Sequence, residues 1–183
     1  MMNRALFLDR DGIINIDHGY VHKIEDFDFV EGIFDLCRTA SEKGYQIFVI
    51  TNQAGIARGY YDRAAFATLS QWMVSVFAEQ GITIEKVYYC PHHPSKGVNE
   101  FVMPCQCRKP APGMLMQAQQ EFAIELAESI FIGDKVSDMQ AAKNAGINCR
   151  ILVNSRYTNE SPNENIVSAI RVNKLSQAGE YIK

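Results

Sequence analysis

The carboxylates of Asp9 and Asp11, with Gly12 behind them, follow directly on the apolar run Ala-Leu-Phe-Leu of residues 5–8. That run has the length and abrupt polar ending of a buried strand. Two acids placed where such a strand surfaces could hold a hard divalent cation, because in open α/β sheets ligands bind beyond the carboxyl ends of the strands. The same spacing also describes an ordinary polar turn. The pair therefore carries chemistry only if other parts of the chain deliver partners to it.

A second constellation lies in the middle of the chain, where Cys90 and His92 are followed by Cys105 and Cys107. One imidazole and three thiolates suit a tetrahedral zinc ion, and a fully ligated set of this kind is structural. The one-residue gap within each pair lets both side chains point the same way from an extended segment. His93 is an alternative ligand, and the period-two argument mildly favours His92. Zinc would fold a loop too polar to pack by itself. Cys37 and Cys149, by contrast, fall at a helical core position and beside a strand, where small buried hydrophobes go.

The elements that must position these groups alternate regularly. Residues 45–50 read as a second buried strand that runs into Thr51, Asn52, Gln53 and Ala54. Residues 86–89 form a third strand and lead into the cysteine loop, from which Arg108 and Lys109 emerge. Residues 129–132 form a fourth, ending in Gly133, Asp134 and Lys135, and residues 150–153 a fifth. Ile33, Leu36, Cys37 and Ala40 share one helical face before a stop at Gly44. Asp62 caps a second helix to about Gln80, with Phe66, Leu69, Met73 and Phe77 on its apolar face and Trp72 in core packing. Pro112 introduces a third helix over residues 113–122. Ser137 and Gln140 form a Ser-x-x-Gln capping box for a fourth, through Met139, Ala142 and Ala145. Residues 15–28 read as a loop. The tail from Asn154 is polar, with a weak helical period at Ile166, Val167 and Ile170 and no functional reading.

Strands alternating with helices predict an α/β fold, a doubly wound parallel sheet with helices on both faces. All strand exits then share one edge. Asp9, Asp11, Thr51, Asn52, Arg108, Lys109, Asp134 and Lys135 meet there although they are far apart in sequence. The chain of 183 residues is long enough for one domain, residues 1–183, with the zinc loop of residues 90–107 inserted. A net charge of -3 argues against a nucleic-acid partner recognised through bulk positive charge. There is no apolar stretch of membrane-span length, and the first ten residues lack a signal-peptide h-region. A cytoplasmic monomer acting on a small molecule, without nucleic acid or membrane, is the expectation.

Three carboxylates, a hydroxyl, an amide and two or three cations facing one crevice suit a phosphate ester bound through magnesium. Lys109 and Thr51 are placed to steady the phosphoryl oxygens during transfer. The motifs Asp-x-Asp-Gly at residues 9–12, Thr51 at a strand end, Lys109 and Gly-Asp-x-x-x-Asp at residues 133–138 resemble the haloacid dehalogenase superfamily of phosphatases. The resemblance implies Asp9 as nucleophile, Asp11 as the acid and later the base, and Mg2+ held by the Asp9 and Asp134 carboxylates with the Asp11 carbonyl. Asp138 would support these groups rather than bind the metal. Within the superfamily the chain is similar to a zinc-loop branch acting on a sugar bisphosphate for lipopolysaccharide synthesis. That likeness implies substrate contacts at Asp17, His18, Gly19, Tyr20, Thr51, Asn52, Gln53, Ala54, Arg108, Lys109 and Lys135. Arg108 is the residue suited to grip the phosphate that is not cleaved.

Two positions depart from that pattern, Ile13 where the superfamily has threonine and Ala54 where serine is common. Histidinol-phosphate phosphatases are the nearest rival, but their zinc loop is shorter than the twelve residues between His92 and Cys105. A non-catalytic zinc module is the rival from another class. It gives no reason for Asp9, Asp11 and Asp134 to occur together.

Overall fold

The computed structural model describes residues 3–158 and 169–183. Six strands, β1 (Arg4–Leu8), β2 (Tyr45–Asn52), β3 (Ile84–Cys90), β4 (Ile130–Gly133), β5 (Cys149–Val153) and β6 (Ile170–Val172), form one sheet in the order β3-β2-β1-β4-β5-β6. Every pairing is parallel. The chain builds outward from β1 in one direction, then crosses to β4 and builds in the other. The ends of β1 and β4 therefore flank the point where strand order reverses, which is where such sheets bind ligands.

Alternation along the strands divides the core between two faces. Leu6, Leu8, Ile47, Val49, Ile130 and Ile132 pack under α1 (Ile33–Glu42) and α2 (Arg63–Glu79). Ala5, Phe7, Phe48, Ile50 and Phe131 pack under α3 (Gly113–Phe122) and α4 (Val136–Asn144). The helical faces are the expected ones: Ile33, Leu36, Cys37 and Ala40 are buried on α1, and Phe66, Leu69, Met73 and Phe77 on α2. Asp62 caps α2, its carboxylate accepting from the Ala65 N–H at 2.8 Å. Trp72 packs edge-on against Phe27.

Two expectations need correction. α4 begins at Val136, and the Ser137–Gln140 capping box does not form; Gln140 instead donates to Asn144 Oδ1 at 2.9 Å. Asp138 takes the capping role, its Oδ2 accepting from the backbone N–H groups of Asp134 at 3.2 Å and Lys135 at 3.0 Å. A carboxylate satisfies the exposed donors of a helix start and favours the positive end of its dipole, so it outcompetes a hydroxyl two residues inside. The tail's weak helical period is likewise not realised at Ile170, which starts β6 in register with Ile151. Ile166 and Val167 lie outside the described residues. Among the described residues, no helix is long and apolar enough to cross a membrane.

Candidate active site

The sheet delivers Asp9 from the end of β1, and the backbone N–H of Asp9 donates to Ile132 O of β4 at 3.1 Å. The side chain is buried, and its Oδ1 accepts from the Arg10 N–H at 2.8 Å and from Lys109 Nζ at 2.9 Å. Lys109 arrives from the end of the cysteine loop and is also buried. Its Nζ lies 2.7 Å from Asp138 Oδ1 and donates to Ile50 O at 2.8 Å, so one ammonium ties β1, β2 and α4 together. Burial works against the Lys109 charge, but the Asp138 and Asp9 carboxylates outweigh it and raise its pKa. Asn52 clamps the lysine backbone from both sides, donating to Lys109 O at 3.1 Å and accepting from the Lys109 N–H at 3.0 Å.

Asp134 is buried, and neither of its carboxylate oxygens has a hydrogen-bond partner. Burial first, then the charge of Asp9, pushes its pKa up to about 8. A buried carboxylate left this way is costly unless a cation supplies what is missing. One oxygen from each of Asp9, Asp134 and Asp138 lies within 4.8 Å of the others. Gly12, at φ +91°, makes room: a Cβ there would stand 2.3 Å from Asp134 Oδ2. Lys135 Nζ stands 3.7 Å from Asp134 Oδ1, beyond hydrogen-bond reach, and the oxygens without hydrogen bonds and the all-oxygen donor set fit magnesium.

Asp11 is held from three sides. Arg10 Nη2 donates to Oδ1 at 2.8 Å and to Oδ2 at 3.1 Å, Asn15 Nδ2 to Oδ1 at 3.1 Å, and Gln53 Nε2 to Oδ2 at 3.1 Å. Gln53 also donates to the buried Thr51 hydroxyl at 2.8 Å. Ile13, the departure from the superfamily pattern, is fully buried in the core beneath α1 and α2.

In front of these groups opens a cleft of about 550 Å³, a volume suited to a small-molecule ligand. Asp17, Gly19, Tyr20, Asn52, Gln53, Ala54, Arg108 and Lys135 all line it. His18 and Thr51 are not among its lining residues; His18 Nε2 lies 2.8 Å from Asp28 Oδ2 on the surface, and Thr51 is fully buried behind Gln53. Three residues outside the sequence reading belong here. Arg10 is buried and grips Asp11 and the Val21 carbonyl, while Arg156 and Tyr157, from the tail, line the cleft together with Arg108. An arginine inside a DxD motif carries no mark that it is buried. The tail residues show no periodicity that would have flagged them.

The cysteine loop closes on itself. Cys90 Sγ lies 3.0 Å from Cys107 Sγ and 3.5 Å from Cys105 Sγ, and His92 Nδ1 lies 3.3 Å from Cys107 Sγ. Between the two histidines the geometry is unambiguous: His93 Nδ1 is turned away and accepts from the backbone N–H groups of Ser95 and Lys96. Three sulfurs and one nitrogen gathered this way fit zinc. Arg108 follows directly, and its Nη1 donates to His92 O at 3.3 Å, so the loop sets where its guanidinium stands.

Residues 106–176 match a family model described as HAD-hydrolase-like. The D-glycero-beta-D-manno-heptose-1,7-bisphosphate 7-phosphatase of Yersinia pestis is 50% identical over 81% of this chain and 79% of its own. This chain belongs to the haloacid dehalogenase-like hydrolases. The enzyme of the same name from Escherichia coli K12 is 44% identical over 98% of this hydrolase and 93% of its own length. Among solved structures, D,D-heptose 1,7-bisphosphate phosphatase from B. bronchiseptica, complexed with magnesium and phosphate, superposes on the hydrolase with a TM-score of 0.82. It is 28% identical and covers 98% of this chain and 97% of its own.

Proposed function

We propose that this hydrolase is a magnesium-dependent phosphatase that removes the 7-phosphate of D-glycero-β-D-manno-heptose 1,7-bisphosphate. It would act as a cytoplasmic monomer supplying heptose for lipopolysaccharide, with structural zinc in the cysteine loop. The observation that carries the reading is Asp134, buried with neither oxygen hydrogen-bonded and only Lys135 Nζ 3.7 Å from its Oδ1, beside an Asp9 that is paired with a buried lysine. The names of the relatives supply the sugar and its anomer.

Both hydrogen bonds given to the Asp9 carboxylate converge on Oδ1, leaving Oδ2 to attack phosphorus. The bond from Asp9 to phosphorus forms as the bond from phosphorus to the sugar oxygen breaks, and Asp11 gives that oxygen its proton. Asp11 then takes a proton from water, whose oxygen displaces Asp9 and releases inorganic phosphate. Thr51 and Lys109 face the transferring group. Asp9 and Asp134 would hold magnesium, which when bound offsets the negative charge of the incoming ester. Arg108, fixed by the zinc loop, holds the phosphate that stays.

The test is phosphate release from both anomers of heptose 1,7-bisphosphate and from histidinol phosphate, with magnesium and after its removal. The β-anomer should be turned over fastest, and only with the metal. Preference for histidinol phosphate, or appreciable turnover by Asp9→Asn, would overturn the reading.

A further inference from the structure

Gln53 makes three side-chain hydrogen bonds, each to a different residue. Its Nε2 donates to Asp11 Oδ2 at 3.1 Å and to Thr51 Oγ1 at 2.8 Å, while its Oε1 accepts from the Tyr61 hydroxyl at 2.5 Å. A primary amide has one donor end and one acceptor end, and only its neighbours decide which way it faces. With the donor end toward Thr51, the threonine oxygen accepts and keeps its own hydrogen for a phosphoryl oxygen. A reversed amide would capture that hydrogen and turn an oxygen toward Asp11. Tyr61 supplies the donor that holds the acceptor end away from both.

The Tyr61 ring is itself fixed. It lies against Gly55, where a Cβ would stand 2.2 Å from ring Cε1 and 2.8 Å from the hydroxyl oxygen. The His22 imidazole also stacks on it, with centroids 4.9 Å apart and planes 8° from parallel. Burial raises the Tyr61 pKa, so the hydroxyl keeps its hydrogen throughout the working range. Gly55 is thus needed for space rather than for backbone freedom.

We propose that Tyr61 is a positioning residue for phosphoryl transfer, acting through the Gln53 amide to orient the Asp11 carboxylate and the Thr51 hydroxyl, and that Gly55 exists to admit its ring. The inference rests on the roles given above to Asp11 and Thr51. It assigns the Gln53 side chain to the catalytic groups rather than to the sugar.

The experiment measures kcat and KM for the wild type, Tyr61→Phe, Gln53→Leu, the double variant and Gly55→Ala. Substrates are heptose bisphosphate and 4-nitrophenyl phosphate, whose leaving group needs no proton. Tyr61→Phe keeps the ring and should lower kcat on the sugar about tenfold, the size of one well-placed hydrogen bond, with KM unchanged. The loss should be smaller on the nitrophenyl ester, and the double variant should be no slower than Gln53→Leu alone. Gly55→Ala should reproduce the Tyr61→Phe pattern, and it carries the test if Tyr61→Phe does not fold. Multiplying losses, a change in KM alone, or a larger loss on the nitrophenyl ester than on the sugar would overturn the inference. A wild type inactive on both esters would overturn the phosphatase reading and this inference with it. An active wild type with an unaltered Tyr61→Phe would overturn the inference only.

Discussion

The phenolic hydroxyl of Tyr157 donates to Asp17 Oδ2 at 2.7 Å, joining segments 140 positions apart across the mouth of the cleft. Asp17 Oδ1 accepts from the Gly19 N–H at 2.9 Å, so the carboxylate is held at both oxygens. Lys135 sits with its Nζ 4.5 Å from the centre of the Tyr157 ring and 3.9 Å from Asp17 Oδ2. One tyrosine from the segment after β5 therefore contacts both the loop after β1, through Asp17, and Lys135 at the end of β4.

Tyr157→Phe should raise KM for the sugar bisphosphate by about two- to tenfold, the net worth of one hydrogen bond, and change kcat less. It also has a pH signature. Burial opposes the Asp17 charge, but the Tyr157 hydroxyl, the Gly19 N–H, Lys135 and Arg156 together hold its pKa below the ordinary 3.8. A carboxylate depressed in the folded state contributes stability above its unfolded pKa and loses it as pH falls through the folded one. Tyr157→Phe should therefore melt below wild type at neutral pH, with the difference narrowing as pH falls below 3.8. A constant difference across that range would show that the hydroxyl does not act through the Asp17 charge.

What could be read from the sequence depends on distance. Phe66, Leu69, Met73 and Phe77 mark the buried face of α2 because a helix repeats itself locally. Asp9, Thr51, Lys109 and Asp134 could be placed at one sheet edge because parallel strands all end on the same side. Neither rule reaches Arg10, Tyr61 or Tyr157, whose roles depend on which side chains the finished fold sets against them. β6 leaves no mark in the sequence for a related reason: three residues are too few for an alternation to stand out. The helix position of Asp138 marks it as support for the site, and its geometry adds the ion pair to Lys109, which no local pattern encodes.

That ion pair makes a further prediction. Lys109 is the cation set between Asp9 and Asp138, both buried. Lys109→Met should abolish turnover and lower stability at neutral pH by about 3–5 kcal/mol, the range for removing one partner of a buried pair. Adding Asp138→Asn removes one of the stranded charges, so the double variant should regain part of that stability and none of the activity. Chemical denaturation of both variants measures this, and an unchanged midpoint on adding Asp138→Asn would contradict the shared-cation arrangement.

The cysteine loop and Arg108 can be separated by experiment because they act in series. Cys107 contacts Cys90, Cys105 and His92, so Cys107→Ser should lower zinc content and melting temperature together, as should prolonged chelation. Normal zinc stoichiometry in that variant would remove Cys107 from the site. Arg108 is tied to the loop through His92 O but faces the cleft, and Arg108→Ala should leave zinc and stability nearly unchanged. Its cost should fall on recognition: kcat/KM should drop about tenfold or more on the bisphosphate, as expected for losing a charge-assisted hydrogen bond, and much less on a sugar 7-monophosphate. The zinc-depleted enzyme should show the same selective loss, because an unfolded loop leaves the guanidinium without a fixed position. Equal losses of Arg108→Ala on the two substrates would place Arg108 at the reacting phosphate instead.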